Sequence, residues 1–118
     1  MRLTEISYAE ARPIDGYGPG FFRVNDHVLR GPALITPWDA GPWGGLGDTE
    51  SLLDLTGRID VLLLGMGAEI AWPPRALRET LEAAGIGVEP MSSPAACRTY
   101  NLLLSEGRRI SAALLPLG

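Results

Sequence analysis

The chain has 118 residues, of which 46% are apolar and 20% are charged, and these values are typical of one globular domain. All ten basic residues are arginine, and fourteen carboxylates leave a net charge of −4, which disfavours long-range attraction to nucleic acid or to anionic lipid. One cysteine and one histidine provide neither an intrachain disulfide nor the usual four-ligand zinc site, so a reducing cytoplasm suits the chain.

The amino terminus predicts neither a secretory signal nor a transit peptide. Residues 1–8 carry an acid early and lack the apolar run of a signal sequence. Apolar runs elsewhere, such as residues 61–64, are far too short to cross a bilayer. We therefore expect a soluble, cytoplasmic protein without membrane insertion.

The first half of the chain is predicted to be mostly β, because glycines and prolines there separate short apolar runs. Residues 21–24 and 27–30 predict a hairpin, with Asn25 and Asp26 at the turn, where positive φ is tolerated. Residues 33–36 predict a further short strand. Residues 37–47 are so rich in glycine, proline and tryptophan that we expect an ordered loop without regular structure.

The pattern changes to helices and buried strands from residue 48. Asp48 or Thr49 is expected to cap a short helix that runs through Leu55. The aliphatic run at residues 59–64 predicts a strand covered on both faces of a parallel sheet. Residues 75–84 then predict an amphipathic helix, with Gly85 at its carboxyl end.

The last third predicts a strand at residues 88–91, a helix that ends near Ser105, and a final strand at residues 110–115. Ser93 is the expected N-cap of the helix and Pro94 its first helical residue. Right-handed crossovers make the three strands of this half parallel neighbours in one sheet. The predicted fold is therefore a single α/β domain over residues 1–118, with a mixed sheet and a β-α-β-α-β second half.

Several motifs resemble one known family. They lie at residues 18–24, 63–67, 85–91, 95–101 and 106–109, and the last two together form a specific carboxyl-terminal motif. Over about residues 4–116, the chain resembles the small-domain family that includes mitochondrial complex I assembly factor 3 and the adipogenesis-associated Mth938-domain protein.

The resemblance implies a single α/β domain with a mixed sheet. It also implies that bacterial members are mostly of unknown function and that mitochondrial members help to assemble respiratory complex I. It supplies no established catalytic residues. Where family members often have a Gly-Thr-Gly loop, this chain has Gly65, Met66 and Gly67, so the threonine hydroxyl that could orient a ligand is missing.

A candidate ligand site lies at the carboxyl ends of the parallel strands, where open α/β sheets bind ligands. Gly65, Met66 and Gly67 follow a buried strand, but they form an incomplete dinucleotide-binding pattern, and a purely structural turn is the main alternative. Ser92 and Ser93 begin a helix whose N–H groups could hold a small anion.

Arg98 and Cys97 extend this candidate site along the helix. Arg98 could reach the same anion, although the sequence favours simple capping by Ser93, with Arg98 paired to a carboxylate such as Glu89. Cys97 lies where the helix dipole could lower the pKa of its thiol, but alanine neighbours favour an inert packing role. His27 is expected to be a half-buried strand residue without a catalytic partner.

Trp38 and Trp43 lie in the glycine-rich segment and allow two interpretations. Two indoles on such a loop could form a partner-binding surface, because tryptophan is enriched in interface hot spots, or they could pack over the core.

The sequence favours a non-enzymatic interaction or assembly-type protein with a protein partner, in a bacterial-type cytoplasm, with no cofactor, metal or catalytic residue assigned. The alternative is a small-molecule (anion) binding protein or an enzyme that uses the crevice between residues 65–67 and 92–98. An enzyme would need a positioned acid, base or metal there, whereas the chain offers only Cys97 and Arg98. Homo-oligomerisation stays open.

Overall fold

The computed structural model describes residues 13–118, and the predictions for the amino terminus lie outside the described residues. Eight strands form two sheets: β1 Ile14–Gly18, β2 Phe21–Val24, β3 His27–Arg30, β4 Ala33–Ile35, β5 Ala40–Pro42, β6 Val61–Gly65, β7 Gly87–Met91 and β8 Ile110–Leu114. Three α-helices connect the later strands: α1 Thr49–Leu53, α2 Arg75–Ala83 and α3 Ser93–Ser105.

The larger sheet is mixed and has the strand order β5-β4-β8-β6-β7. Strand β6 runs parallel to both β7 and β8, whereas β4 is antiparallel to β5 and to β8. The helices α2 and α3 are the crossover connections that parallel neighbours require. The predicted α/β class and the three parallel strands are confirmed.

The first three strands form a separate antiparallel sheet in the order β1-β2-β3. Asn25 and Asp26 adopt φ values of 53° and 67°, so they form the two-residue loop that joins β2 to β3. Positive φ at both loop positions gives the backbone twist that a tight hairpin needs. The predicted hairpin is confirmed.

The segment at residues 37–47 is more regular than its composition predicts. The Thr36 hydroxyl accepts hydrogen bonds from the N–H groups of Trp38 and Asp39, which closes a tight turn. Strand β5 follows the turn and pairs with β4, and a 3₁₀ turn at Gly45–Gly47 comes next. The expectation of a loop without regular structure is wrong, because pairing with β4 outweighs the low strand propensity of glycine and proline.

Two helix boundaries differ from their predicted positions. Asp48 caps α1 as expected, accepting from the Ser51 N–H, but this helix ends at Leu53 and not at Leu55. The cap of α3 is Ser92 and not Ser93, because the Ser92 side chain accepts from the Ala95 N–H. The hydroxyl of Ser93 is therefore available for a tertiary role.

The core has two apolar layers, one on each face of the larger sheet. One layer joins the sheet to α3 and to the three-stranded sheet, and it includes Phe22, Tyr100 and Leu114. The other joins the sheet to α1 and α2, and it includes Leu62 and Leu81. All five residues of β8 are buried, as expected of a strand covered on both faces.

Candidate functional site

The residues predicted to form a ligand site come together at one edge of the larger sheet. Gly65 is the last residue of β6, and Ser93 is the first residue of α3, directly after β7. The Ser93 N–H donates to the Gly67 carbonyl at 2.7 Å, and the Met66 N–H donates to the Met91 carbonyl at 2.8 Å. The two segments are close together, as predicted. They touch directly and are joined by these two hydrogen bonds.

The Ser93 side chain ties three segments together. Its hydroxyl accepts from the Gly67 N–H at 2.9 Å and donates to the Leu115 carbonyl at 2.6 Å. The Leu115 N–H in turn donates to the Gly65 carbonyl at 2.8 Å. We call the four residues Gly65, Gly67, Ser93 and Leu115 the Ser93 junction.

Close packing at Gly65 leaves no crevice within the Ser93 junction. A Cβ atom at Gly65 would lie 2.7 Å from the Ser93 Oγ and 2.9 Å from the Ser93 Cα. Gly65, Gly67 and Ser93 are all buried, and the hydroxyl that could have faced a ligand is used inside the protein. Between residues 65–67 and Ser93, the two segments are therefore in direct contact and leave no room for a ligand.

The backbone N–H groups of residues 93–96, at the start of α3, are not available to an anion. The Ser93 N–H donates to Gly67, Pro94 has no N–H, and the Ala95 N–H donates to the Ser92 hydroxyl at 3.3 Å. The Ala96 N–H already bonds to the Ser92 carbonyl. Anion binding at a helix start needs N–H groups that point to solvent, so this geometry removes the basis of the predicted anion site.

Cys97 and Arg98 point to different environments. Cys97 is buried in the core layer under α3, whereas Arg98 is exposed. Within residues 13–118, the ion pairs of the structure join Arg75 to Glu79, Arg78 to Glu82 and Arg109 to Asp60. That part of the chain therefore lacks the expected pair between Arg98 and Glu89.

Burial makes Cys97 a poor nucleophile. Loss of solvation raises the pKa of its thiol from 9.0 to about 11, and the nearby positive charge of Arg98 only partly opposes this shift. We expect iodoacetamide at pH 8 to label Cys97 at least about 100-fold more slowly in the folded protein than in urea, because the thiolate is the reactive form. Equal rates in both states would show that the thiol is accessible and ionised.

The two tryptophans of the β5 region differ in exposure. Trp43 is only 4% exposed, and its Nε1 donates to the Asp48 carbonyl at 3.1 Å. The prediction that Trp43 could lie on an interaction surface is wrong, because its indole packs in the core beside α1. Trp38 is half-buried, with the Arg58 guanidinium 4.1 Å from its ring centre, which is a cation–π contact.

The exposure of His27 differs from its prediction. His27 is exposed at the start of β3 and not half-buried as expected.

No group of three or more His, Cys, Asp or Glu side chains within residues 13–118 is arranged to hold a metal ion. None of the helices in this same range is long and apolar enough to span a membrane.

A sequence model of the family described as "Protein of unknown function (DUF498/DUF598)" matches residues 14–115. The chain belongs to the DUF498/DUF598 family. The matched range starts at the first residue of β1 and ends one residue after β8, so the DUF498/DUF598 domain coincides with the described fold.

Similar sequences include a bacterial protein and a vertebrate one. An uncharacterized protein of Rhodobacter capsulatus is 55% identical over 117 residues, which cover 99% of this chain and 94% of that protein. The NADH dehydrogenase (ubiquinone) 1 alpha subcomplex assembly factor 3 of Danio rerio is 36% identical over 128 residues, covering 98% of this chain and 73% of that protein.

Solved structures extend the likeness to the whole fold. A structure described as an outer membrane protein from Bartonella henselae has a TM-score of 0.83 and 36% identity, covering 92% of this chain and 97% of that one. A Mth938-like domain protein of Bordetella pertussis has a TM-score of 0.74 and 27% identity, covering 89% and 85%. These matches confirm the family resemblance that the motifs predicted.

The most exposed apolar side chains of this DUF498/DUF598 domain were not singled out from its sequence. Trp72 is 75% exposed and Ile70 is 63% exposed, and both lie in the loop at residues 66–74 between β6 and α2. We call this segment the apolar loop. A tryptophan directly before two prolines, in a connection that follows a buried strand, is the signal that could have found it.

Proposed function

We propose that this DUF498/DUF598 protein is a non-enzymatic assembly factor that binds a protein subunit of respiratory NADH dehydrogenase through the apolar loop. The names of the similar assembly factors support the coarse role. The closed Ser93 junction also favours binding over catalysis, because its polar groups bond to one another. The exposure of Trp72 and Ile70 is the observation that carries the proposal.

Exposed apolar side chains of this size are energetically costly unless a partner covers them. Burial of one large apolar side chain contributes roughly 1.5–3 kcal/mol, and tryptophan is among the residues that dominate binding energy at interfaces. Trp72 and Ile70 are two residues apart on the same short loop, so one partner surface could cover both.

The apolar loop is held at both ends, which lowers the entropy lost on binding. At one end, Gly67 is fixed by the Ser93 hydroxyl and the Ser93 N–H. At the other end, Pro73 is buried and Pro74 leads directly into α2. Proline fixes φ, so few backbone conformations are lost when a partner binds.

We place this activity in the cytoplasm. The single cysteine is buried and needs no disulfide partner, which fits a reducing compartment. Homo-oligomerisation stays a prediction that sedimentation of the pure protein can test.

Complementation of a deletion strain tests the proposal. We expect a variant with both Ile70→Ala and Trp72→Ala to fold normally and to lower the level of assembled NADH dehydrogenase on native gels by at least about tenfold, since loss of each anchor costs more than about 1 kcal/mol of binding. The folded state of each purified variant is checked by thermal unfolding.

The matched control is Leu102→Ala, which removes an apolar side chain that is 58% exposed on α3, outside the apolar loop. We expect this variant to restore assembly fully. If the loop variant also restores full assembly, the apolar loop is not the binding surface. If the deletion itself leaves assembly unchanged, the proposed function is wrong.

A further inference from the structure

The two sheets have four outer strands, and three of them are protected against the addition of a further strand. An outer strand exposes unpaired backbone groups that another chain can bind, and proteins usually block such groups. At β1, the Asn101 side chain occupies both backbone groups of Ile14, with distances of 2.7 Å to its N–H and 2.9 Å to its carbonyl.

Prolines protect the two outer strands of the larger sheet. In β5, Pro42 has no N–H, and the Ala40 N–H is taken by the Asp39 carboxylate at 2.8 Å. In β7, the Met91 carbonyl accepts from Met66 on the inner side, so the neighbouring Pro90 is at a position whose backbone faces outward. Pro90 therefore removes a donor from that edge.

Among residues 13–118, nothing of this kind protects strand β3. Val24 and His27 close the two-residue loop and form a hydrogen-bonded pair, so the backbone groups of His27 and Leu29 face β2. The Gly31 N–H continues this alternation by donating to the Gly20 carbonyl at 3.0 Å. The N–H and carbonyl groups of Val28 and Arg30 consequently face away from β2.

The surface beside β3 has space for another chain. A groove of about 480 Å³ runs between β3 and the β5 side of the larger sheet, lined by Val24, Asn25, His27, Val28, Leu29, Asp39 and Ala40. Val28 is 49% exposed. Within residues 13–118, β3 pairs with β2 alone.

The charges on the outer face of β3 select the kind of strand that can be added. Arg30 is exposed there, and Arg23 of β2 lies directly opposite Val28. Side chains that lie directly opposite each other on paired strands interact. Opposite charges there stabilise the pairing of the strands, and like charges destabilise it. Asp26 lies at the turn end of the strand, and Asp39 is across the groove with its carboxylate bonded to the Ala40 N–H. An acidic side chain beside Arg30 is therefore favoured over a basic one.

We propose that β3 is a strand-addition site for an extended segment of a partner protein, with an apolar residue beside Val28 and an acidic residue beside Arg30. This inference goes beyond the proposed function, because it uses the other sheet and needs no contact with the apolar loop. Main-chain hydrogen bonds to Val28 and Arg30 provide the affinity for the added strand. The side chains of Val28 and Arg30 provide the preference for an apolar and an acidic residue in that strand.

A second copy of the chain fits this edge less well. Antiparallel pairing of two β3 strands about a two-fold axis places both Arg30 side chains on one face, and each copy has a net charge of −4. Like charges on the shared face disfavour this pairing.

Amide exchange measured by NMR on the full chain tests the site. The probe is a blocked hexapeptide of threonines in which one valine and one glutamate are two positions apart, so that both side chains project from the same face of the added strand, beside Val28 and Arg30. In the free protein, we expect fast exchange at Val28 and Arg30 and slow exchange at His27 and Leu29. The peptide should slow exchange at Val28 and Arg30 by about tenfold or more, as expected when each amide gains a hydrogen bond.

Two variants at one position separate the backbone from the side chain. Val28→Pro removes an outward N–H and leaves the bonds to β2 intact, so peptide affinity should fall about tenfold while the amides of His27 and Leu29 stay protected. Val28→Thr keeps the N–H and the branched side chain, and it should bind the peptide nearly as well as the natural chain.

Several results would overturn the inference. Slow exchange at Val28 and Arg30 in the free protein would show that the edge is already covered. Absence of peptide protection up to the solubility limit, or equal binding by the proline and threonine variants, would exclude strand addition. Equal binding of the same peptide with lysine in place of its glutamate would remove the acidic preference, and protection that grows with protein concentration would assign the edge to a second copy.

Discussion

Replacement of Ser93 by alanine should lower the free energy of unfolding by about 3 kcal/mol. The hydroxyl accepts from the Gly67 N–H and donates to the Leu115 carbonyl in a fully buried position. Its removal leaves the buried Gly67 N–H and the half-buried Leu115 carbonyl without this partner, and an unpaired buried polar group costs about 1–3 kcal/mol. Urea denaturation of the natural chain and the variant, followed by circular dichroism, measures the difference.

Ser92→Ala is the matched control for this experiment. Ser92 caps α3 from a half-buried position, and loss of a helix cap costs about 1 kcal/mol. If the two variants lose the same stability, the Ser93 hydroxyl contributes no more than a cap. If Ser93→Ala is as stable as the natural chain, the Ser93 junction does not hold these segments together.

Replacement of Gly65 by alanine should lower the free energy of unfolding by about 2–3 kcal/mol. The added Cβ would lie 2.7 Å from the Ser93 Oγ and 2.8 Å from the Leu114 Cδ2. It would also lie 2.9 Å from the Ser93 Cα, which is backbone and cannot rotate away. Overpacking of this kind typically costs about 1–3 kcal/mol. Thermal and urea unfolding of the purified variant check the value.

Gly87→Ala provides a control on the neighbouring strand β7. There, the nearest atoms to an added Cβ are the Asp60 carbonyl oxygen at 3.6 Å and the Val61 Cγ2 at 3.7 Å, which are ordinary contacts. We expect its stability to be unchanged or to rise by up to about 1 kcal/mol, because alanine restricts the unfolded chain. A gain of stability in Gly65→Ala as well would contradict the tight packing at the Ser93 junction.

Ser93→Ala also bears on the proposed function, because the Ser93 hydroxyl holds one end of the apolar loop. Gly67 is the second residue of this loop, and its N–H loses its hydrogen-bond partner in Ser93→Ala. A loosened loop would lose more entropy when a partner binds. Residual binding by a folded Ser93→Ala protein would therefore be weaker than that of the natural chain, although Trp72 and Ile70 are intact.

The local patterns of the sequence identified most elements of the fold. Asn25 and Asp26 predicted the hairpin turn, and the aliphatic run before Gly65 predicted a strand with two covered faces. These features depend on neighbouring residues, namely positive φ at a turn and a continuous apolar run, so they can be read without knowledge of the tertiary contacts. Strand β5 escaped prediction because its three residues have low strand propensity and are ordered by β4.

The candidate site was only partly predictable. The sequence predicted that residues 65–67 and 92–98 lie at one edge, since both segments follow parallel strands, and the structure brings Gly67 into contact with Ser93 there. It could not distinguish a ligand site from a structural contact, because a serine at a helix start has the same local pattern in both cases. The exposure of Trp72 could not be predicted from the sequence either. Whether a tryptophan beside prolines is buried or exposed depends on which distant residues pack against it.

The sequence by itself determined the α/β class, the hairpin, the three parallel strands and the family, because each depends on short-range periodicity, turn residues or motifs. Only the tertiary structure decided that Ser92 caps α3 while Ser93 bonds to Gly67 and Leu115, 26 and 22 residues away. It alone also showed that, within residues 13–118, β3 pairs only with β2, and that Trp72 and Ile70 are exposed. The physical reason is that hydrogen-bond partners and exposure are set by contacts between segments far apart in the chain, which local patterns do not encode.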